Sequence, residues 1–176
     1  MAGIYDMYGA CKFDDAYWKL GHAQTSATLP SGIKEEFINR VFAQRPVPIT
    51  GGVSLEGQAS GRPDYSDPRQ AYARTQIARG RVMEAIFPSQ EWDKVDPLRN
   101  VTPSFPPTCI VHGLADTLVP ARLSRALLDT LQKNGVQSKM VEIPGEEHIF
   151  AARMKVGSET WNLQRQGFDF LESLIK

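Results

Sequence analysis

Residues 107–120, Pro-Thr-Cys-Ile-Val-His-Gly-Leu-Ala-Asp-Thr-Leu-Val-Pro, constrain the fold more than any other stretch. Thr108 to His112 is a short, β-branched apolar run of the kind that forms a buried strand. Gly113 offers a tight turn, Asp116 follows at the strand's carboxyl end, and Pro120 can open a helix. Downstream, Val141-Glu142-Ile143-Pro144-Gly145-Glu146-Glu147-His148 repeats the plan: apolar strand, Pro-Gly turn, histidine on the loop. Ligands and chemistry in open α/β sheets gather at the carboxyl ends of strands. An acid and a histidine delivered by two successive strands can therefore meet in one crevice.

The elements around this pair are consistent with such a sheet. Pro120 to Asn134 reads as a helix with Leu123, Leu127, Leu128 and Leu131 on one face and Gly135 at its end. Ser138 to Ile143 reads as the next strand. Glu159 to Ile175 reads as a final amphipathic helix that offers Trp161, Phe168, Phe170, Leu171 and Leu174 to the sheet. Strand, helix, strand, helix implies a parallel pair joined by a crossover.

The first half of the chain is less regular. Gly3 to Ala10 is a short strand closed by glycine, and Phe13 to Trp18 is a loop or helical turn. From Ser26 to Arg69 the chain is rich in Gly, Pro, Ser and Asp, with one helical piece near Ile33–Ala43. Gly51-Gly52 and residues 57–63 carry turn chemistry. Asp67-Pro68 opens a helix whose apolar positions Tyr72, Ile77, Val82, Met83, Ile86 and Phe87 run on to Pro88. Loops of this length in a domain are lids, insertions or mobile segments. The expected organisation is therefore a first strand and loop over 1–19, a partly helical insertion over 20–97, and acid strand, helix, base strand and final helix over 98–176.

Composition narrows the function classes. A chain of 176 residues, 41% hydrophobic and 23% charged, suits one globular domain. Its 20 basic and 20 acidic residues give no field that would draw nucleic acid or an anionic membrane. No apolar run approaches a membrane span, and the amino terminus lacks the basic start and apolar core of a secretory signal. Cys11 and Cys109 are too few for a disulfide framework. Together these features predict a cytoplasmic protein with no membrane span, no nucleic-acid partner and no cofactor.

A lone aspartate after a strand is ordinarily a turn residue, and a lone loop histidine is ordinarily structural. At the ends of neighbouring strands they form the supporting half of a nucleophilic triad, in which Asp orients His and stabilises its imidazolium. The segment from Thr108 to Lys176 resembles the carboxyl-terminal part of an α/β-hydrolase, in its esterase/lipase and prolyl-oligopeptidase-like branches. The acid motif stands as His112-Gly113-Leu114-Ala115-Asp116-Thr117-Leu118-Val119-Pro120, and the base loop as Gly145-Glu146-Glu147-His148-Ile149-Phe150. The resemblance implies Asp116 as triad acid and His148 as general base, with His112 structural. It implies the carboxyl-terminal half of an α/β-hydrolase fold, about three mostly parallel strands with flanking helices and a lid-like insertion.

The nucleophile is the departure. In this superfamily a Gly-x-Ser-x-Gly elbow precedes the acid and the base, and the sequence contains none. Gly57-Gln58-Ala59-Ser60-Gly61 is nearest, with its serine one place off; Ser26, Ser31 and Ser54 have no better context. The glycine-rich oxyanion segment is also absent. The chain is therefore expected to be the acid–base half of a serine hydrolase, acting on an ester or peptide substrate in the complete enzyme and inactive alone. Its partner would be a missing amino-terminal half or a second copy joined through the first strand. The alternatives are a non-catalytic binding or interaction domain that kept the pair, and, more weakly, a metal site at His112, Asp116 and His148.

Overall fold

A computed structural model describes residues 1–46 and 63–175. In chain order the elements are β1 (Ile4–Met7), α1 (Ala23–Thr28), α2 (Glu35–Ile38), α3 (Pro68–Ala78), α4 (Val82–Ile86), β2 (Thr108–Gly113), α5 (Ala121–Lys133), β3 (Ser138–Ile143) and α6 (Glu159–Leu174). The chain divides into two compact units: Met1–Phe13 with Glu91–Lys176, and Asp14–Gln90.

The first unit is an α/β layer built on a parallel sheet of order β1-β2-β3. Its register sets Ile4 beside Thr108 and Thr108 beside Ser138, and at the far end pairs His112 with Glu142. Every residue of β2 is buried, as expected for a central parallel strand covered on both faces, which is why its sequence runs apolar without alternating. One face carries Cys109, Val111, Val141 and Ile143 against Phe150 and Phe170, with Tyr5, Met7, Leu171 and Leu174 packed around them. Gly167 leaves the room on α6 that the Tyr5 ring occupies. Side chains alternate across a strand, so Asp6, Ile110 and His112 belong to the opposite face. There Leu123, Leu127 and Leu131 of α5 are buried, the stripe that the leucine spacing predicts. Burying Ile110 and Val111 fully contributes about 1.5–3 kcal/mol each.

Phe168 departs from expectation. It is 51% exposed, though its ring forms a T-shaped pair with Tyr5, centroids 5.0 Å apart.

One residue closes the first unit where the chain leaves and re-enters it. Asp96 is fully buried; its carboxylate accepts the N–H groups of Lys12 at 2.9 Å, Phe13 at 2.8 Å and Leu98 at 3.0 Å. The sequence marks this position only as a linker Asp-Pro.

In the second unit, α1 is not expected from the sequence, and only its second half overlaps the Gly-, Pro- and Ser-rich stretch that begins at Ser26. Its start is set by His22, whose ring Nδ1 accepts the Thr25 N–H at 3.1 Å, a cap outside the usual Ser/Thr/Asp/Asn set. The helix expected to run from Pro68 to Phe87 is broken in two. Gly80 adopts φ +66, a left-handed conformation that ends α3, and a Cβ there would strike the backbone of Lys19 and Leu20. The helical piece expected near residues 33–43 is α2 followed by a 3-10 turn, Asn39–Ala43. Ser54, Gly51-Gly52 and the 57–61 string lie outside the described residues. Among the described residues, no helix is long and apolar enough to cross a membrane.

Candidate active site

The loops that follow β2 and β3 are stitched together by backbone hydrogen bonds. Leu114 donates its N–H to the Ile143 carbonyl, and Ala115 to the Glu146 carbonyl, both at 2.9 Å. Gly113 makes that approach possible, because a Cβ there would collide with the Glu146 carbonyl. Thr160 ties the base loop to α6, its hydroxyl donating to Glu146 Oε1 at 2.6 Å. Beyond His148 the backbone turns through Ile149 at φ 54, a strained conformation for a β-branched residue. That turn sends Phe150 into the core at 3% exposure.

This frame brings Asp116 and His148 together. The Asp116 side chain is wholly buried and that of His148 is 23% exposed. Asp116 Oδ1 accepts the N–H groups of Leu118 at 2.9 Å and Val119 at 2.8 Å. Asp116 Oδ2 lies 2.7 Å from His148 Nδ1. An ionised carboxylate only accepts, so His148 carries its proton on Nδ1 and donates it to Asp116, which leaves Nε2 with a lone pair when the ring is neutral.

His112 completes the cluster from the strand beneath. Its side chain is fully buried, with Nε2 3.1 Å from Asp116 Oδ2 and 2.7 Å from the Val119 carbonyl. Nε2 therefore faces two acceptors and holds a proton. On the other side of the ring, Nδ1 lies 2.8 Å from Ser124 Oγ on α5, whose hydroxyl can donate to it. Burial works against a charge on Asp116. Hydrogen bonds from His112, His148 and the Val119 N–H, with the proximity of His148, outweigh it and hold the carboxyl well below the usual carboxylate range. Asp116 is thus ionised at neutral pH.

Of the residues singled out in the sequence, Asp116, His148 and His112 converge at the carboxyl ends of β2 and β3. Among the described residues no cluster of His, Cys, Asp or Glu is arranged to hold a metal. Ser26 lies in α1 and Ser31 in the following turn, neither on a strand-to-helix elbow. Tyr8, Asp6 and Ser124 were not legible as parts of this cluster. Tyr8 packs its ring on His148 with centroids 4.7 Å apart. Asp6, on the His112 face of β1, accepts the Gly9 N–H at 2.9 Å. Burial raises its carboxyl above the ordinary value, against the lowering effects of that hydrogen bond and of His112.

A parallel sheet flanked by helices, with an acid and a histidine at the ends of adjacent strands, is the arrangement of an α/β-hydrolase. The sequence profile of the prolyl oligopeptidase family, within that superfamily, matches residues 40–176, and the chain belongs to that family. It is 26% identical over 157 residues to the 5-methylorsellinic acid synthase of Aspergillus terreus, an alignment covering 73% of this chain and 6% of the synthase. Over 71 residues it is 30% identical to the non-reducing polyketide synthase ausA of Penicillium brasilianum, covering 39% of this chain and 3% of that protein. A crystal structure of a Staphylococcus aureus Mu50 protein of unknown function shares the fold, with a TM-score of 0.65 at 19% identity, over 99% of this chain and 57% of that one. The chain thus spans a small part of the synthases and little more than half of the solved structure.

Proposed function

We propose that Asp116 and His148 are the acid and base of a serine-hydrolase triad that cleaves an ester or peptide bond. Family membership supports serine-hydrolase-type chemistry. The residue assignment rests on one observation, the 2.7 Å contact of His148 Nδ1 with a buried Asp116 carboxylate, on a ring that keeps an exposed edge. In this reading His148 Nε2 takes the proton of a serine hydroxyl as its oxygen attacks the carbonyl carbon. The same proton then passes to the leaving group, while Asp116 stabilises the intervening imidazolium and keeps its own charge.

The serine must come from a segment with the strand-to-helix elbow that this sequence lacks, so the chain alone is expected not to turn over substrate.

The test is hydrolysis of a short-chain p-nitrophenyl ester by the purified chain, with and without a serine-reactive phosphonate. No turnover and no adduct are expected. Turnover that labelling blocks and that His148→Ala or Asp116→Asn abolishes would keep the acid–base assignment and place the serine within this chain. Turnover that survives His148→Ala would overturn the assignment. The second reading, a binding domain that retained the pair, draws on the missing pentapeptide. It would prevail if the chain stayed inactive when combined with a polypeptide carrying the elbow.

A further inference from the structure

We propose that Tyr8 is a positioning residue for His148, its ring setting the plane of the imidazole while Asp116 holds Nδ1. The proposal rests on reading His148 as the base. One hydrogen bond fixes one atom of a ring and leaves the ring free to swing about that contact. Something else must fix the plane, and the Tyr8 ring lies against His148 with centroids 4.7 Å apart and planes at 59°, within the range of favourable aromatic pairs.

Tyr8 is itself held firmly. Its N–H extends the β1–β2 ladder by donating to the Val111 carbonyl at 2.9 Å. Asp6 clamps the turn behind it through the Gly9 N–H at 2.9 Å. The ring also forms a T-shaped pair with Phe150, centroids 5.2 Å apart. The backbone pays for this placement with φ 48 at a residue that is not glycine, a conformation kept where surrounding structure demands it and concentrated at functional sites. A glycine would relieve the strain and lose the ring.

The hydroxyl separates ring from polar role. Tyr8 is 8% exposed, and among the described residues its buried hydroxyl has no hydrogen-bond partner. The contact with His148 is therefore carried by the ring, and phenylalanine should substitute for it whereas an aliphatic residue should not.

The experiment is proton NMR of the whole chain, following the far-downfield ring N–H signals of His148 and His112. His112 Nε2–H, buried against Val119, reports on the fold and does not depend on Tyr8. Wild type and Tyr8→Phe are expected to show both signals. In Tyr8→Leu the His148 signal should exchange with water at least about tenfold faster, with the His112 signal unchanged. An unchanged His148 signal in Tyr8→Leu would overturn the proposal. If Tyr8→Leu loses both signals, Tyr8→Met supplies a flexible side chain of similar bulk. Loss of both signals there too would make Tyr8 a core residue and end the positioning role. A wild type that lacks the His148 signal while keeping that of His112 would sink the acid–base reading beneath the proposal.

Discussion

His148 Nδ1 lies 2.7 Å from Asp116 Oδ2 across 32 residues of chain, and the carboxylate that receives it has no exposed surface. The charge on Asp116 is therefore a stability element as well as a candidate catalytic one. Its folded-state pKa is depressed, so the contribution is complete above the unfolded value near pH ~4 and is lost as pH falls toward the folded value. Asp116→Asn should lower stability at neutral pH by about 3 kcal/mol. The gap to wild type should narrow as the pH is taken below ~4 in thermal melts. A constant gap across that range would contradict this account.

Asp6 should behave with the opposite sign. Burial raises its carboxyl above the ordinary value, so the folded state holds a proton that the unfolded state releases, and the charged form costs stability as pH rises. Asp6→Asn keeps an oxygen to accept the Gly9 N–H and removes the charge. Melting temperature should be higher than wild type at neutral pH and should match it in acid, below the ordinary carboxylate range.

Gly113 should tolerate no side chain. A Cβ there meets the Glu146 carbonyl carbon at 2.8 Å, with the oxygen closer still, and backbone cannot step aside as a flexible side chain would. Gly113→Ala should cost about 2–3 kcal/mol by urea denaturation. A variant as stable as wild type would mean that the two loops are not in contact as described.

Asp96 should matter to the fold as much as any apolar core residue of the first unit. Asp96→Ala strands three backbone N–H groups that its carboxylate now satisfies and should cost about 3 kcal/mol. Asp96→Asn, which retains acceptor capacity on one oxygen, should cost less. Equal effects from the two variants would argue against the hydrogen bonds as the cause.

The sequence made the sheet legible because β2, α5 and β3 carry simple patterns: β2 an apolar run at Cys109–Val111, α5 leucine at 123, 127 and 131, β3 bounding turn residues. Asp116 and His148 could be paired because each follows its strand by a glycine turn. What lay hidden depends on contacts far apart in the chain. Nothing near Asp96 tells that it will meet the N–H groups of Lys12 and Phe13. Nothing near Tyr8 foretells that its ring will face a histidine on another strand's loop. The break at Gly80 shows another limit: apolar spacing continues through residues 77–87, but one left-handed glycine divides the helix.

The most direct test of the acid–base pair is the tautomer of His148, read from long-range proton–nitrogen NMR at mildly alkaline pH in uniformly 15N-labelled chain. His148 should carry its proton on Nδ1, hydrogen-bonded to Asp116, and leave Nε2 bare and able to take a proton from a nucleophile. A proton found on Nε2 would contradict that assignment, because that ring could neither donate to Asp116 through Nδ1 nor act as the base.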